Sequence, residues 1–152
     1  MPKWSSNEQR MRDVAYIALG SNLGDRTEHL ARARQALAIL PASRLIGASS
    51  IEETEPLGKL EQPAYLNQMV ALETSLSPHE LLARLHEIER GEGRTRHERW
   101  GSRTLDLDIV CFERQSVSTG DLHVPHPGLE NRDFWQRELR ELRAATAPES
   151  AR

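Results

Sequence analysis

The chain carries a single cysteine, Cys111, among 152 residues. An intrachain disulfide is therefore excluded, and nothing in the sequence demands an oxidising compartment. No apolar run approaches the length of a membrane-spanning helix. Met1–Asp13 is polar and lacks the apolar segment of a secretory signal, so a cytoplasmic protein is expected, with no membrane partner. A formal net charge of only -3 argues against a general nucleic-acid binder held by phosphate charge. Internal repeats and low-complexity segments are also missing.

What the sequence does contain is concentrated. Between Arg90 and Arg103 stand five arginines against Glu92 and Glu98, a local positive patch inside an acidic protein. Such a patch suits a small polyanion better than a long one. It runs directly into Arg103-Thr104-Leu105-Asp106-Leu107-Asp108-Ile109-Val110-Cys111-Phe112. Read as a β-strand, this segment turns Leu105, Leu107, Ile109 and Cys111 to one face and Asp106 and Asp108 to the other. The two carboxylates are then about 7 Å apart along the strand and repel by about 2 kcal/mol at an effective dielectric near 20. A divalent cation removes that repulsion, and hard oxygen ligands of this kind suit Mg²⁺. Arginine forks beside them match phosphate oxygens. Acid pair and arginine cluster together make a metal–polyphosphate site. Cys111, on the apolar side, reads as a buried core thiol.

A hydrophobic content of 38% with 28% charged residues fits one soluble domain. Residues 1–13 read as a loose leader, 14–143 as the domain and 144–152 as a polar tail that frays after Ala144. Val14–Leu19 is an apolar run that predicts a central strand buried on both faces. Gly20–Asp25 reads as a turn with no catalytic role, since it lacks the Gly-Lys-Ser/Thr ending of a phosphate-cradling loop. A helix follows, started by Asp25 and Glu28, with Leu30, Ala33, Leu37 and Leu40 at helical spacing, and it stops at Pro41. Arg44–Ile51 and Leu66–Leu76 read as strands. Between strand and strand of the second half lies a helix with a full start signal: Ser77 as N-cap, Pro78 at its first position and Glu80 closing a capping box. A short helix is expected from about Asp133.

Strand, helix, strand, strand, helix, strand is the split βαβ order of an α+β, ferredoxin-like βαββαβ sandwich. Its sheet is mostly antiparallel, with the helices on one face and the other face open to ligands. An RNA-binding role on such a sheet is disfavoured, because the open face presents acids where base-stacking aromatics are needed.

Seven segments in this order carry a more specific signal: Gly20-Ser21-Asn22-Leu23-Gly24, Thr54-Glu55-Pro56-Leu57-Gly58, Gln62-Pro63-Ala64-Tyr65-Leu66-Asn67, Gly93-Arg94, Arg99-Trp100-Gly101, Arg103-Thr104-Leu105-Asp106-Leu107-Asp108 and Val124-Pro125-His126. Together they closely resemble the 6-hydroxymethyl-7,8-dihydropterin pyrophosphokinase family of folate biosynthesis, from about Val14 to Leu142. The resemblance implies transfer of the terminal pyrophosphoryl unit of ATP to the pterin hydroxymethyl oxygen, with release of AMP. It implies ATP as co-substrate and two Mg²⁺ ions held by Asp106 and Asp108.

The resemblance also distributes roles. Arg94 and Arg103 match arginines that contact the triphosphate. Glu89, Arg99, Trp100, Ile109, His126 and Arg132 match nucleotide-side positions, Trp100 in a loop that closes over ATP. Thr54, Pro56, Leu57, Tyr65, Asn67 and Phe134 match the pterin pocket, with Tyr65 and Phe134 sandwiching the ring and Asn67 bonding its edge. No general base is singled out; acidity conferred on the hydroxyl by metal is the alternative. A monomer is expected. The chain departs from the family pattern at Ser102, in a shortened arginine loop, and at Phe134-Trp135-Gln136-Arg137-Glu138-Leu139, where an apolar segment with Pro-Leu is usual. That altered end leaves a second reading open, a pterin- or nucleotide-binding paralogue with changed or lost activity.

Overall fold

A computed structural model describes residues 12–55, 64–92 and 104–146. The elements run β1 (Asp13–Ser21), α1 (Arg26–Ala38), β2 (Ser43–Ala48), β3 (Glu52–Thr54), β4 (Tyr65–Thr74), α2 (Pro78–Gly91), β5 (Asp106–Phe112), β6 (Val117–Ser118), β7 (His123–Val124), a 3-10 turn (Pro127–Asn131) and α3 (Asp133–Thr146). The main sheet is ordered β2-β4-β1-β5, with β3 also on β4, and every pairing in it is antiparallel. This is the ferredoxin-like arrangement predicted from element order.

Local chemistry accounts for the helix starts. Asp25 accepts a hydrogen bond from the N–H of Glu28 at 3.1 Å and caps α1. Ser77 and Glu80 form the reciprocal capping box of α2, at 3.2 and 2.7 Å, with Pro78 at a position that needs no N–H. Leu30, Ala33 and Leu37 of α1, and Leu81 and Leu85 of α2, are fully buried beside Ile17, Leu19 and Leu72. β1 is central and buried almost throughout, in keeping with its unbroken apolar run.

Four expectations are corrected. The second strand ends at Ala48, short of Ile51, where the Ser49 hydroxyl accepts the N–H of Met69 at 2.9 Å, and a further short strand, β3, follows on β4. Gly20 belongs to β1 and not to the turn after it. α3 is neither short nor frayed at Ala144, because Trp135, Glu138, Leu139 and Leu142 form a buried stripe and the Thr146 hydroxyl donates to the Leu142 carbonyl at 2.8 Å. Finally, a bulge in β5 reverses its alternation. Ile109 lies opposite Ile17 but Cys111 lies opposite Tyr16, so Val110 is the extra residue and Cys111 faces away from α1 and α2. Buried there, its thiol is pushed up to about 11 by burial, an inert group.

α3 lies on that second face. A Cβ at Gly47 would meet Leu142 and Thr146 at 3.3 Å, and the Arg143 guanidinium stands 5.4 Å over the Tyr16 ring. α1 and α2 thus cover one face as predicted, while a third helix covers half of the other. The half left open contains the candidate site.

Candidate active site

Gly20 of β1 is the floor of the site. It lies opposite Asn67 of β4 on one side and opposite Asp106 of β5 on the other. Adjacent strands are about 4.8 Å apart, so Asn67 and Asp106 stand about 10 Å from each other across it. Tyr65 and Asn67 share a face by their spacing, as do Asp106 and Asp108, and pairing through Gly20 and Ala18 makes it the same face. A Cβ at Gly20 would come within 3.3 Å of Asn67 Oδ1 and 3.6 Å of Tyr65 Cδ1. Glycine leaves that space free. Assigned to a turn on sequence, this residue was missed because a β-strand glycine carries no side-chain signal of its own.

The pterin-side residues converge around β4. Thr54 lies opposite Tyr65, and the Asn67 amide Nδ2 donates to the Thr54 hydroxyl. Asn67 is buried while Tyr65 and Thr54 are half-buried. Phe134 is half-buried at the start of α3 with its ring 6.3 Å from that of Trp135. Pro56 and Leu57 lie outside the described residues.

On β5, Asp106 and Asp108 are half-buried on the open face. Between them, the Leu107 N–H donates to Glu89 Oε2 at 2.8 Å. Glu89 is only 4% exposed and sits on the helix side of the strand. From there it holds the backbone that carries both aspartates. Ile109, opposite Ile17 and 3% exposed, has its side chain in the core, which leaves its backbone to meet a ligand. Arg94, Arg96, Arg99, Trp100 and Arg103 lie outside the described residues.

His126 reaches the acid pair from the edge of the sheet. The Val124–Pro125 peptide is cis, the His126 N–H donates to the Val110 carbonyl at 2.7 Å, and His126 caps the following 3-10 turn. In that cap the Gly128 N–H donates to Nδ1 at 2.9 Å. An accepting Nδ1 leaves Nε2 as the protonated nitrogen of the neutral ring, and Nε2 is 3.8 Å from Asp108 Oδ1. Burial lowers the imidazole pKa, Asp108 opposes the shift and Arg132 assists it. A neutral ring offering Nε2–H is the result.

Trp135 organises this corner. Its ring meets His126 edge-on at 4.9 Å and carries the Arg132 guanidinium at 4.3 Å from its centroid, a cation–π contact. Arg132 Nη1 is buried and finds no acceptor among the described residues. Gly128 permits that approach, since a Cβ there would fall 2.3 Å from Nη1. Trp135 had been read only as part of an atypical segment; its role depends on tertiary contacts.

Among the described residues no three metal-ligating side chains cluster. Two carboxylates still suit Mg²⁺, which keeps several waters and takes substrate phosphate oxygens as further ligands. The donor set is acid and all oxygen, and it fits that ion.

The profile of the 7,8-dihydro-6-hydroxymethylpterin-pyrophosphokinase (HPPK) family matches residues 16–144. The chain is 47% identical over 135 residues to the 2-amino-4-hydroxy-6-hydroxymethyldihydropteridine pyrophosphokinase of Bacillus subtilis, covering 87% of this chain and 79% of the relative. Against the Haemophilus influenzae enzyme of the same name it is 44% identical over 121 residues, 80% and 76% of the two chains. Among solved structures it is similar to a Plasmodium falciparum HPPK-DHPS, with a TM-score of 0.69 at 13% identity. That match covers 89% of this chain but only 42% of the other, and at such identity it speaks for the fold alone. Sequence and fold agree, and the chain belongs to the 7,8-dihydro-6-hydroxymethylpterin-pyrophosphokinase family.

Proposed function

We propose that this protein transfers the pyrophosphoryl unit of ATP to the hydroxymethyl oxygen of 6-hydroxymethyl-7,8-dihydropterin, releasing AMP, as a step of folate biosynthesis. The bond formed is between the alcohol oxygen and the β-phosphorus, and the bond broken is that between the α- and β-phosphates' bridging oxygen and the β-phosphorus. The observation that carries this reading is the register at Gly20, which sets Asn67 and Asp106 on one open face about 10 Å apart across three strands. A flat heterocycle over Tyr65 and Asn67 then directs its substituent toward the acid pair.

Tyr65 and Phe134 stack on the pterin, worth about 1 kcal/mol beyond burial. Asn67, its Nδ2 already engaged by Thr54, offers Oδ1 as the acceptor for a ring N–H. Asp106 and Asp108 would hold the two Mg²⁺ ions, which would supply charge screening and polarisation of the triphosphate oxygens. His126 presents Nε2–H to a phosphate oxygen, and Arg132, whose buried Nη1 has no acceptor among the described residues, adds its positive charge beside it. Arg94 and Arg103 clamp the triphosphate with bidentate forks, and Arg99 and Trp100 close the site against water.

The protein acts as a cytoplasmic monomer. Large exposed hydrophobics among the described residues are the scattered Leu23, Ile39 and Ile51, which make no apolar patch. No described helix is long and apolar enough to cross a membrane. Incubation of the full chain with ATP, Mg²⁺ and the hydroxymethyldihydropterin tests the reading: AMP is expected to form, and to stop with EDTA. Pterin binding without AMP release assigns the chain to the inactive paralogue instead.

A further inference from the structure

The stripe by which α3 packs on the sheet contains one charged-type residue. Glu138 is 1% exposed, and both of its carboxyl oxygens are buried without an N–H or hydroxyl donor among the described residues. The group it faces is another carboxyl, Glu52 of β3, close enough for the two to share a hydrogen bond, and Glu52 Oε2 is likewise buried without an N–H or hydroxyl donor among the described residues. Glu52 Oε1 receives the Arg137 guanidinium at 2.9 Å. Two carboxyl groups can bond to each other only if they share a proton. Arg137 lies on the Glu52 side, so Glu52 holds the charge and Glu138 the proton.

The neighbouring charges agree with that division. Arg137 and Glu141 flank Glu138 on α3, and Glu52 faces it from β3. On β4 the residues of that face, Asn67 and Met69, carry no titratable group, and neither does Gly47 of β2. Burial raises the Glu138 pKa to about 9, and the Glu52 carboxylate adds to the shift. Glu52, although burial pulls it upward, is held below the ordinary glutamate value by the Glu138 hydrogen bond and by Arg137.

Glu52 is not a remote position. It lies directly opposite Asn67 in the β3–β4 pairing, two residues before Thr54, and Thr54 is the partner of the Asn67 amide. β3 has only three residues and a β2 junction held by Glu141, whose carboxylate accepts the Ser50 N–H and hydroxyl at 2.9 Å each. The same helix carries Phe134 in its first turn. α3 thus carries one wall of the pterin pocket and grips the strand that carries another.

We propose that Glu138 is a positioning residue for pterin recognition: its neutral carboxyl donates a hydrogen bond to the Glu52 carboxylate, locking β3 to α3 so that Thr54 orients Asn67 and Phe134 stands opposite Tyr65. Glu138 itself never touches substrate. The inference rests on the pterin-binding reading of this face. It adds that recognition of the pterin weakens when the shared proton is lost, while nucleotide binding at β5 is untouched.

The full-length wild type, Glu138→Gln and Glu138→Leu separate these statements. Gln keeps a neutral donor to Glu52 and cannot ionise; Leu keeps volume and removes the donor. Calorimetry with 6-hydroxymethylpterin, Mg²⁺ and a non-hydrolysable ATP analogue measures binding, and AMP release gives KM for each substrate. Glu138→Leu is expected to raise the pterin Kd and KM about tenfold, the loss of one hydrogen bond to a charged group, with the KM for ATP within about twofold. Glu138→Gln is expected to match the wild type near pH 7. Between about pH 8 and 10 the wild type loses pterin affinity and Glu138→Gln does so less. A wild-type pterin Kd in Glu138→Leu overturns the proposal. So does an equal rise in both KM values, or identical alkaline profiles for wild type and Gln. Should the wild type bind pterin yet release no AMP, the catalytic reading fails while the calorimetric arms still decide this one.

Discussion

Asp106 with Asp108, and Glu52 with Glu138, are two carboxyl pairs at opposite margins of the same sheet face. The aspartates are on one strand, half-buried, each side chain directed into the open half of the face. Spacing along the strand keeps them about 7 Å apart, with solvent between them. The glutamates come from a strand and a helix pressed together, and burial forbids two charges there. One keeps a proton and becomes a donor. Equal chemistry at the start becomes an open, solvent-facing pair at one margin and a buried clasp at the other, and solvent access makes the difference.

The strongest way to test the contrast is to remove the charged pair. Asp106→Ala or Asp108→Ala is expected to lower AMP release by at least about 10²-fold, with thermal unfolding nearly unchanged because neither side chain is part of the core. Near-normal turnover would show that the β5 pair is only a solvated strand face.

Next in size is the boundary between the two margins. Asn67→Ala should weaken pterin binding by about 10- to 100-fold, since it removes a buried hydrogen-bonding group, while binding of an ATP analogue stays the same. Calorimetry showing the reverse order would move the pterin away from β4.

A smaller effect is expected from pH on stability. The native pKa of Glu138 is raised to about 9, so the folded state holds a proton that the unfolded state releases above its ordinary glutamate value. Stability from this group is therefore full in acid and falls as pH climbs toward about 9. Glu52, lowered on folding, acts oppositely and only in the acid range, where stability drops as it is protonated. The Tm of Glu138→Gln should rise relative to wild type between about pH 5 and 9. Parallel Tm curves would mean that Glu138 is ionised in the native state.

The smallest change concerns the floor shared by both margins. Gly20→Ala places a methyl 3.3 Å from Asn67 Oδ1, tight enough to displace the amide by a few tenths of an ångström. Pterin Kd should rise a few-fold, with a smaller effect on the KM for ATP.

Much of the architecture was legible because its signals are local. Ser77, Pro78 and Glu80 specify a helix start through bonds closed within four residues. The alternation of Leu105, Asp106, Leu107 and Asp108 declares which side is wet. Seven short motifs in order carried the family. Other features escaped because they depend on residues far apart in the chain. The Val110 bulge, which moves Cys111 to the other face, is set by packing against β1. Glu89 matches a nucleotide-side position in the sequence, and its bond from the Leu107 N–H exists only once α2 packs on β5. Trp135 gains its meaning from His126 and Arg132, which it holds through ring contacts no spacing predicts.

By itself, then, the sequence determined the order of elements, the capped helices and the pair of aspartates on one strand face, since hydrophobic period and capping chemistry act over a few residues. Only the tertiary structure decided that Gly20 joins Asn67 to Asp106, that α3 covers half of the open face, and that Glu138 keeps its proton. Those outcomes depend on burial and on the approach of distant backbone, and a pKa or a strand register has no value until the surrounding chain has removed the water.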